Sequence, residues 1–318
     1  MNAGKALRWL IAAAVAVLTT AAMAEDTLKL AIGQRGNWEN AAPELGQQAG
    51  FFKKRGLTLE ILYTQGGPES IQAVVSRSMD IGTGAGVSAA IGAFAKGAPI
   101  RVIGSEMIGS PDLYWYVLPA SPIHKIEDLN GRTIGFSQVG SSSNAALLEL
   151  LKQYKLDAKP VALGGMQATF TQTMTGQVHV GWAAAPFGLD ALADGKIRIV
   201  ARGTEVAALK ERTVRVNLTN LSVLDQRREA LARFMRGYLE TIDWMYSDPA
   251  ALKLYGEYSG LPAAVVQQVR EFIPKDTMAP ERVVGLDQIV ADAVKLKFIT
   301  DPLTPAQLKE FVQIPTPQ

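Results

Sequence analysis

The sequence predicts an α/β protein of two similar lobes, each built on a largely parallel sheet, with a helical C-terminal part. Three observations carry this. Short strands alternate with helices through residues 27–203, the pattern of a parallel sheet with covering helices. The stretch from Leu57 matches the stretch from Leu156 at a fixed offset, so that Gly66 falls on Gly165 and Gly82 on Gly181; two copies of one strand–loop–helix–strand order point to a duplicated lobe rather than a solenoid. After Val214 the alternation stops, and amphipathic helical segments follow to the C-terminus.

The first 24 residues stand apart. Lys5 and Arg8 precede the apolar run "WLIAAAVAVL", and Ala22-Met23-Ala24 closes the segment with a small-x-small pattern. That order predicts an export leader cleaved after Ala24, with no membrane anchor, because the apolar run is shorter than the roughly 20 residues a spanning helix needs. The full chain of 318 residues has 32 basic and 30 acidic residues. Loss of Lys5 and Arg8 with the leader balances the charges, which argues against nucleic acid or an anionic membrane as partner. There is no cysteine and only two histidines, His124 and His179. Thiol catalysis, zinc–thiolate sites and iron–sulfur clusters are excluded, and neither a metal nor another cofactor is expected.

The elements follow in order. "TLKLAIG" is an alternating strand ending in glycine, and "APELGQQAGFFKKRG" reads as one helix closed at Gly56. "LTLEILY" is a strand, "TQGGPE" a loop, "SIQAVVSRS" a helix, "MDIGTGAG" a strand with a glycine-rich turn, "VSAAIGAFAKG" a helix and "PIRVIG" a strand. The aromatic "LYWYVLP" opens the second unit, followed by "RTIGFS", a serine-rich loop and the helix running to residue 151. Then come strand "KPVALGG", helix "MQATFTQTMTG", strand "VHVGWAA", helix "PFGLDALADG" and strand "IRIVARG". "TVRVNLTNLSVL" reads as extended chain returning between the lobes, and Asp225 as the N-cap of a long helix carrying Leu231, Phe234, Met235, Tyr238, Leu239, Ile242 and Met245 on its apolar positions. The expected division is a leader (1–24), a first lobe with the C-terminal helices (25–110 and 220–318) and a second lobe (111–219).

The order of "LKLAIGQRGNWENAAPELGQQAGFFKKRGLTLEIL", "GPESIQAVVSRSMDIGTGAGVSAA" and "SPIHKIEDLNGRTIGFSQVGSSS" resembles the solute-binding proteins of nitrate, sulfonate and taurine ABC importers, a group that includes binders of thiamine-precursor pyrimidines. The resemblance implies a type II periplasmic binding protein fold: parallel-sheet lobes joined by crossing strands that close on a small-molecule solute. It also implies a monomer in the periplasm that hands its solute to an ABC permease in the inner membrane. The sequence departs from the family pattern at His179, where an aspartate is frequent, and at Ala185, where a glutamate often precedes the proline.

In such sheets ligands bind beyond the carboxyl ends of the strands. The loops there span 34–38, 64–69, 83–87, 137–144 and 165–169. Helix N-termini at several of them offer unpaired N–H groups to an electron-rich ligand. The candidate binding residues are Gln34, Arg35, Asn37, Trp38, Gln65, Gly66, Gly84, Ala85, Tyr114, Gly140, Ser141, Ser142, Ser143, Gln167 and Phe187. Each has a plainer alternative: Arg35 as a surface charge, the serines as helix caps, Tyr114 as packing at the lobe junction. Trp38 is placed at the cleft or hinge because its neighbours are polar, while Trp182 reads as core. No catalytic residue is expected. The expected function is capture of a small organic anion, such as a sulfonate or aromatic carboxylate. A neutral heteroaromatic such as a pyrimidine, a periplasmic sensor subunit and, last, an enzyme on the same fold are the alternatives.

Overall fold

A computed structural model describes residues 25–315. The leader expected from the sequence, and its cleavage after Ala24, lie outside the described residues. The strands are β1 (Asp26–Gly33), β2 (Leu57–Thr64), β3 (Ile81–Gly86), β4 (Ile100–Ile108), β5 (Leu113–Val117), β6 (Thr133–Phe136), β7 (Lys159–Ala162), β8 (Gly181–Ala184), β9 (Arg198–Arg202) and β10 (Thr213–Asn220). In the first lobe β1 pairs in parallel with both β2 and β3, and the sheet order is β2-β1-β3-β10-β4. Helices α1 (Ala42–Gln48), α2 (Gly67–Val75) and α3 (Val87–Ala95) make the connections.

The second lobe repeats this plan. β6 pairs in parallel with β7, and a parallel bridge joins Ile134 to Val180, just ahead of β8. β8 and β9 flank β5, giving the same order as the first lobe, β7-β6-β8-β5-β9. Helices α4 (Ser142–Tyr154), α5 (Met166–Met174) and α6 (Leu189–Ala193) follow. The offset read from the sequence is visible in α2 and α5, each nine residues long and each preceded by a glycine N-cap, Gly66 and Gly165.

Neither sheet is purely parallel. β10 runs antiparallel to β3 and β4, and β5 antiparallel to β8 and β9. A strand that crosses directly from the other lobe enters from the opposite end, without a helix to turn it round. β10 completes the first sheet, although the sequence division at 219 grouped most of it with the second lobe. The single helix expected over 42–56 is also divided: α1 ends at Gln48, Gly50 takes a left-handed φ of 83°, and a 3₁₀ turn over Lys53–Arg55 leads to Gly56.

The C-terminal part comprises α7 (Leu221–Ser247), α8 (Pro249–Ser259), α9 (Ala263–Phe272), α10 (Leu286–Lys295) and α11 (Pro305–Phe311). α7 starts four residues before the expected cap at Asp225, because the Asn220 side chain accepts from Ser222 N at 3.0 Å. It kinks at Arg227, whose guanidinium bonds Thr27 O at 2.6 Å and Asp80 Oδ2 at 3.0 Å. Leu231, Phe234, Met235, Tyr238, Ile242 and Met245 are buried as the spacing predicts, while Leu239 is exposed. α9 reaches the lobe junction, where Arg202 of β9 sits 3.7 Å over the Phe272 ring. Among the described residues no helix is long and apolar enough to cross a membrane.

Candidate functional site

The carboxyl ends of β1, β2 and β3 face the loop before α4 across a narrow cleft of about 390 Å³ including its open mouth. From the first lobe it is lined by Gly33, Gln34, Asn37, Asn40, Gly66, Gly67 and Gly84. The second lobe supplies Ser137, Ser141, Ser142, Ser143, Trp182 and Ala184, and Leu113 and Arg215 lie where the chain crosses. Two helices aim their first turns here from opposite lobes, α2 at Gly67 and α4 at Ser142. First-turn N–H groups have no intrahelical acceptor and carry the positive end of the helix dipole; in α2 Pro68 has no N–H and Glu69 N donates to Gly66 O at 3.1 Å, so α2 offers Gly67 N alone.

Glycine makes this closeness possible. A Cβ on Gly67 would stand 2.5 Å from Gly84 O, and one on Gly86 would stand 2.7 Å from Gly140 O on the other lobe. Gln138 Nε2 donates to Glu69 Oε1 at 3.1 Å and adds a polar contact between the lobes at the rim.

The structural reading of the serine-rich loop is directly visible, and the loop also lines the cleft. Ser141 caps α4 by accepting from Asn144 N at 3.1 Å. Ser143 Oγ lies 3.1 Å from Ser137 Oγ and 3.0 Å from Ser141 Oγ. These hydroxyls spend their bonds on one another and on backbone, which fixes the loop. Ser142 is half-buried and faces the cleft.

The candidate residues divide into three groups. Gln34, Asn37, Gly66, Gly84, Ser141, Ser142 and Ser143 meet in the inner cleft. Arg35, Gln167 and Phe187 line a wider outer chamber, about 1090 Å³ including its mouth, which shares Asn37 with the cleft. Met166, Phe170 and Met174 give it an apolar wall, and Arg35 lies 5.2 Å over the Tyr258 ring and 5.7 Å over that of Tyr63. The remaining five lie elsewhere. Trp38 is fully buried, edge-on to Tyr255 at 4.8 Å, and donates from Nε1 to Tyr246 OH at 3.0 Å. Its partners come from the C-terminal helices, so its polar sequence neighbours misled. Tyr114 is fully buried and its hydroxyl donates to Phe187 O, so it packs the second lobe. Ala85 is buried beside Gly67. Gly140 turns the chain at a φ of 86° and backs onto Ala89. Gln65 is exposed at the rim, its carbonyl accepting from Gln34 Nε2 at 3.0 Å.

The sequence reading missed a buried ionic cluster where the chain crosses between lobes. Arg215 of β10 donates to Glu39 Oε1 at 3.1 Å and to Asp112 Oδ1 at 2.5 Å. Glu106 of β4 is buried with them, and neither of its carboxyl oxygens has a hydrogen-bond partner. Three carboxyl groups therefore share one guanidinium away from water. Burial pushes Glu106 up to about 8 and Glu39 up to about 7, with Arg215 pulling each back down. Alternation hides the cluster: Thr213, Arg215, Asn217 and Thr219 alternate with apolar residues, the pattern of a strand with one wet face, yet all of β10 is buried.

This cluster makes stability depend on pH. Unfolded, Glu39 and Glu106 release their protons near 4.5; folded, they hold them to about 7 and 8. The folded state binds more protons in between, so their contribution to stability is full below about 4.5 and is lost as pH rises through about 8. Thermal unfolding of Glu106→Gln between about pH 5 and 8.5 should show a smaller fall in Tm than wild type. An unchanged slope would contradict this assignment.

His179 takes no part in the cleft. It is exposed, with Nδ1 2.6 Å from Thr133 Oγ1.

The NMT1/THI5-like family model matches residues 40–252, more than half of the chain and most of both lobes. The chain belongs to the NMT1/THI5-like family. Solved structures agree with this assignment at the level of the fold. The alkanesulfonate-binding protein SsuA from Xanthomonas axonopodis pv. citri, bound to MOPS, superposes with a TM-score of 0.76 at 20% identity, over 92% of this chain and 100% of that one. The periplasmic aliphatic sulphonate-binding protein SsuA from Escherichia coli gives 0.69 at 22% identity, over 85% and 90%. The desulfurization enzyme DSZB gives 0.67 at 17% identity, over 91% and 96%. No curated protein matches the sequence. This member of the family thus has the two-lobed periplasmic binding protein fold, a fold shared by binding proteins and at least one enzyme.

Proposed function

We propose that the protein is the periplasmic solute-capturing subunit of an ABC importer. It closes its two lobes on a small organic solute through an electron-rich, anionic group and presents the closed form to a membrane permease. The observation that carries this reading is the convergence of the α2 and α4 first turns from opposite lobes on one narrow cleft. An anion held there satisfies donors on both lobes at once, so it favours the closed form by the contacts only that form offers. The positive field comes from helix ends rather than from arginine. Arg215 is already paired with two carboxyls, and Arg35 stands in the outer chamber.

Binding without chemistry fits the side chains present. The chain has no cysteine, and the cleft serines bond one another and backbone rather than an imidazole. The test is a thermal-shift screen of residues 25–318 against sulfonates, carboxylates, nitrate and pyrimidines. A ligand at a hundred times its Kd stabilises by about 2.7 kcal/mol, so one anionic class should raise Tm clearly. A panel in which only uncharged rings raise it would contradict the anionic reading.

A further inference from the structure

The buried ionic cluster lies directly behind the cleft. Arg215 and Asn37 both line the inner cleft, and both donate to Glu39 Oε1, at 3.1 Å and 3.3 Å. Gly84 lines it too, and its backbone stands beside the Glu106 carboxyl. The cluster also joins the lobes. Glu39 and Glu106 belong to the first lobe, whereas Asp112 lies where the chain crosses, and its carbonyl accepts from Ala185 N of the second lobe at 3.0 Å. Arg215 ties the two sides together, with Nη1 on Glu39 and Nη2 on Asp112.

In the closed arrangement this junction has too few donors. Glu39 Oε2, Asp112 Oδ2 and both Glu106 oxygens are buried without a hydrogen-bond partner. Three carboxylates and one guanidinium, all ionised, would hold a net charge of −2 away from water (three negative, one positive). Such a charge is relieved only by protons or by hydration. The other titratable groups turned toward these carboxyls are Tyr238 and Tyr246 of α7 and Tyr255 of α8. Burial pushes each hydroxyl well above its ordinary range, so all three stay neutral. Opening the lobes brings water to Arg215 and Asn37 and so to the carboxyls behind them, and closing removes it. Water and protons are alternative ways to stabilise the same groups.

We propose that lobe closure takes up protons at Glu106 and Glu39, so that acid favours the closed form and alkali the open one. This rests on the hinge closure proposed above but not on the identity of the solute. The sign follows from burial. The closed form holds these protons to about 8 and about 7, because burial raises both carboxyls while Arg215 lowers them. Hydration in the open form returns both toward 4.5. The closed form therefore binds more protons in between. The closed-to-open ratio falls as pH rises through that range, by up to about tenfold per pH unit for each proton.

The chain has no cysteine, so Gln72→Cys on α2 and Thr171→Cys on α5, both at exposed positions, place one spin label on each lobe. Double electron–electron resonance on the ligand-free protein should show a short inter-label distance at about pH 5.5 that gives way to a longer one by about pH 8.5, with far-UV circular dichroism unchanged. Glu106→Gln should hold the short distance to higher pH. Glu39→Gln, which keeps an acceptor for Arg215, should do the same and serves if the first variant does not fold. A distribution independent of pH, or a pH response that these variants leave unchanged, would overturn the inference. So would a change that tracks a loss of circular dichroism, which is unfolding rather than opening. Distances that ignore pH but shorten with a sulfonate or carboxylate that raises Tm would remove the proton coupling and leave hinge closure standing. Distances that ignore both would remove the two together.

Discussion

Arg215→Leu is expected to destabilise the protein by about 3–5 kcal/mol, the cost of removing one member of a buried ion pair and leaving its partners charged and unpaired. Glu39 and Asp112 are fully buried at the two ends of the guanidinium, and Glu106 adds a third carboxyl nearby. The loss should appear as a lower urea midpoint. It should be larger at about pH 8 than at about pH 5, where protonation of Glu39 and Glu106 relieves the unpaired charge. Adding Glu39→Gln and Asp112→Asn to Arg215→Leu should recover part of the loss, because the penalty lies in the stranded carboxylates. A loss below about 1 kcal/mol in the single variant would mean that solvent reaches the cluster and that the crossing point is not a dry junction.

Gly86→Ala should separate folding from solute capture. Gly86 has φ −60° and ψ 125°, a conformation alanine adopts freely, so the backbone itself gives no penalty. In the closed arrangement the added methyl stands 2.7 Å from Gly140 O and 3.2 Å from Ser142 N, both backbone atoms of the opposite lobe. The contact is relieved only by moving the lobes apart. Overpacking of this kind costs about 1–3 kcal/mol, and under the proposed hinge closure the cost falls on the closed form alone. Unfolding stability of the free protein should change little, while solute affinity should drop by about five- to 150-fold. Unchanged affinity would show that the bound form does not use this lobe contact.

What the sequence revealed follows from what is local. Gly66 and Gly165 at the start of α2 and α5, the small polar loop before α4, and glycines at the strand ends are short-range signals, and they located both the duplicated plan and the cleft wall. Arg215 lies 176 residues from Glu39 and 103 from Asp112, and each member of the cluster taken alone is an ordinary polar residue. Only the crossing of β10 into the first sheet brings them together. Trp38 and Tyr114 failed for the same reason in reverse: their core partners, Tyr246, Tyr255 and the Phe187 carbonyl, lie remote in the chain. Asn40 and Trp182 line the cleft without a local signal, because only folding brings them to it.

The central claim is that a single solute bridges both lobes at the α2 and α4 first turns. Amide hydrogen exchange read by mass spectrometry tests it most directly, using whichever compound of the screen raises Tm most. Protection should appear together at residues 66–70 of the first lobe and 141–145 of the second. Protection confined to one lobe, or placed away from both segments while the compound still raises Tm, would contradict the account.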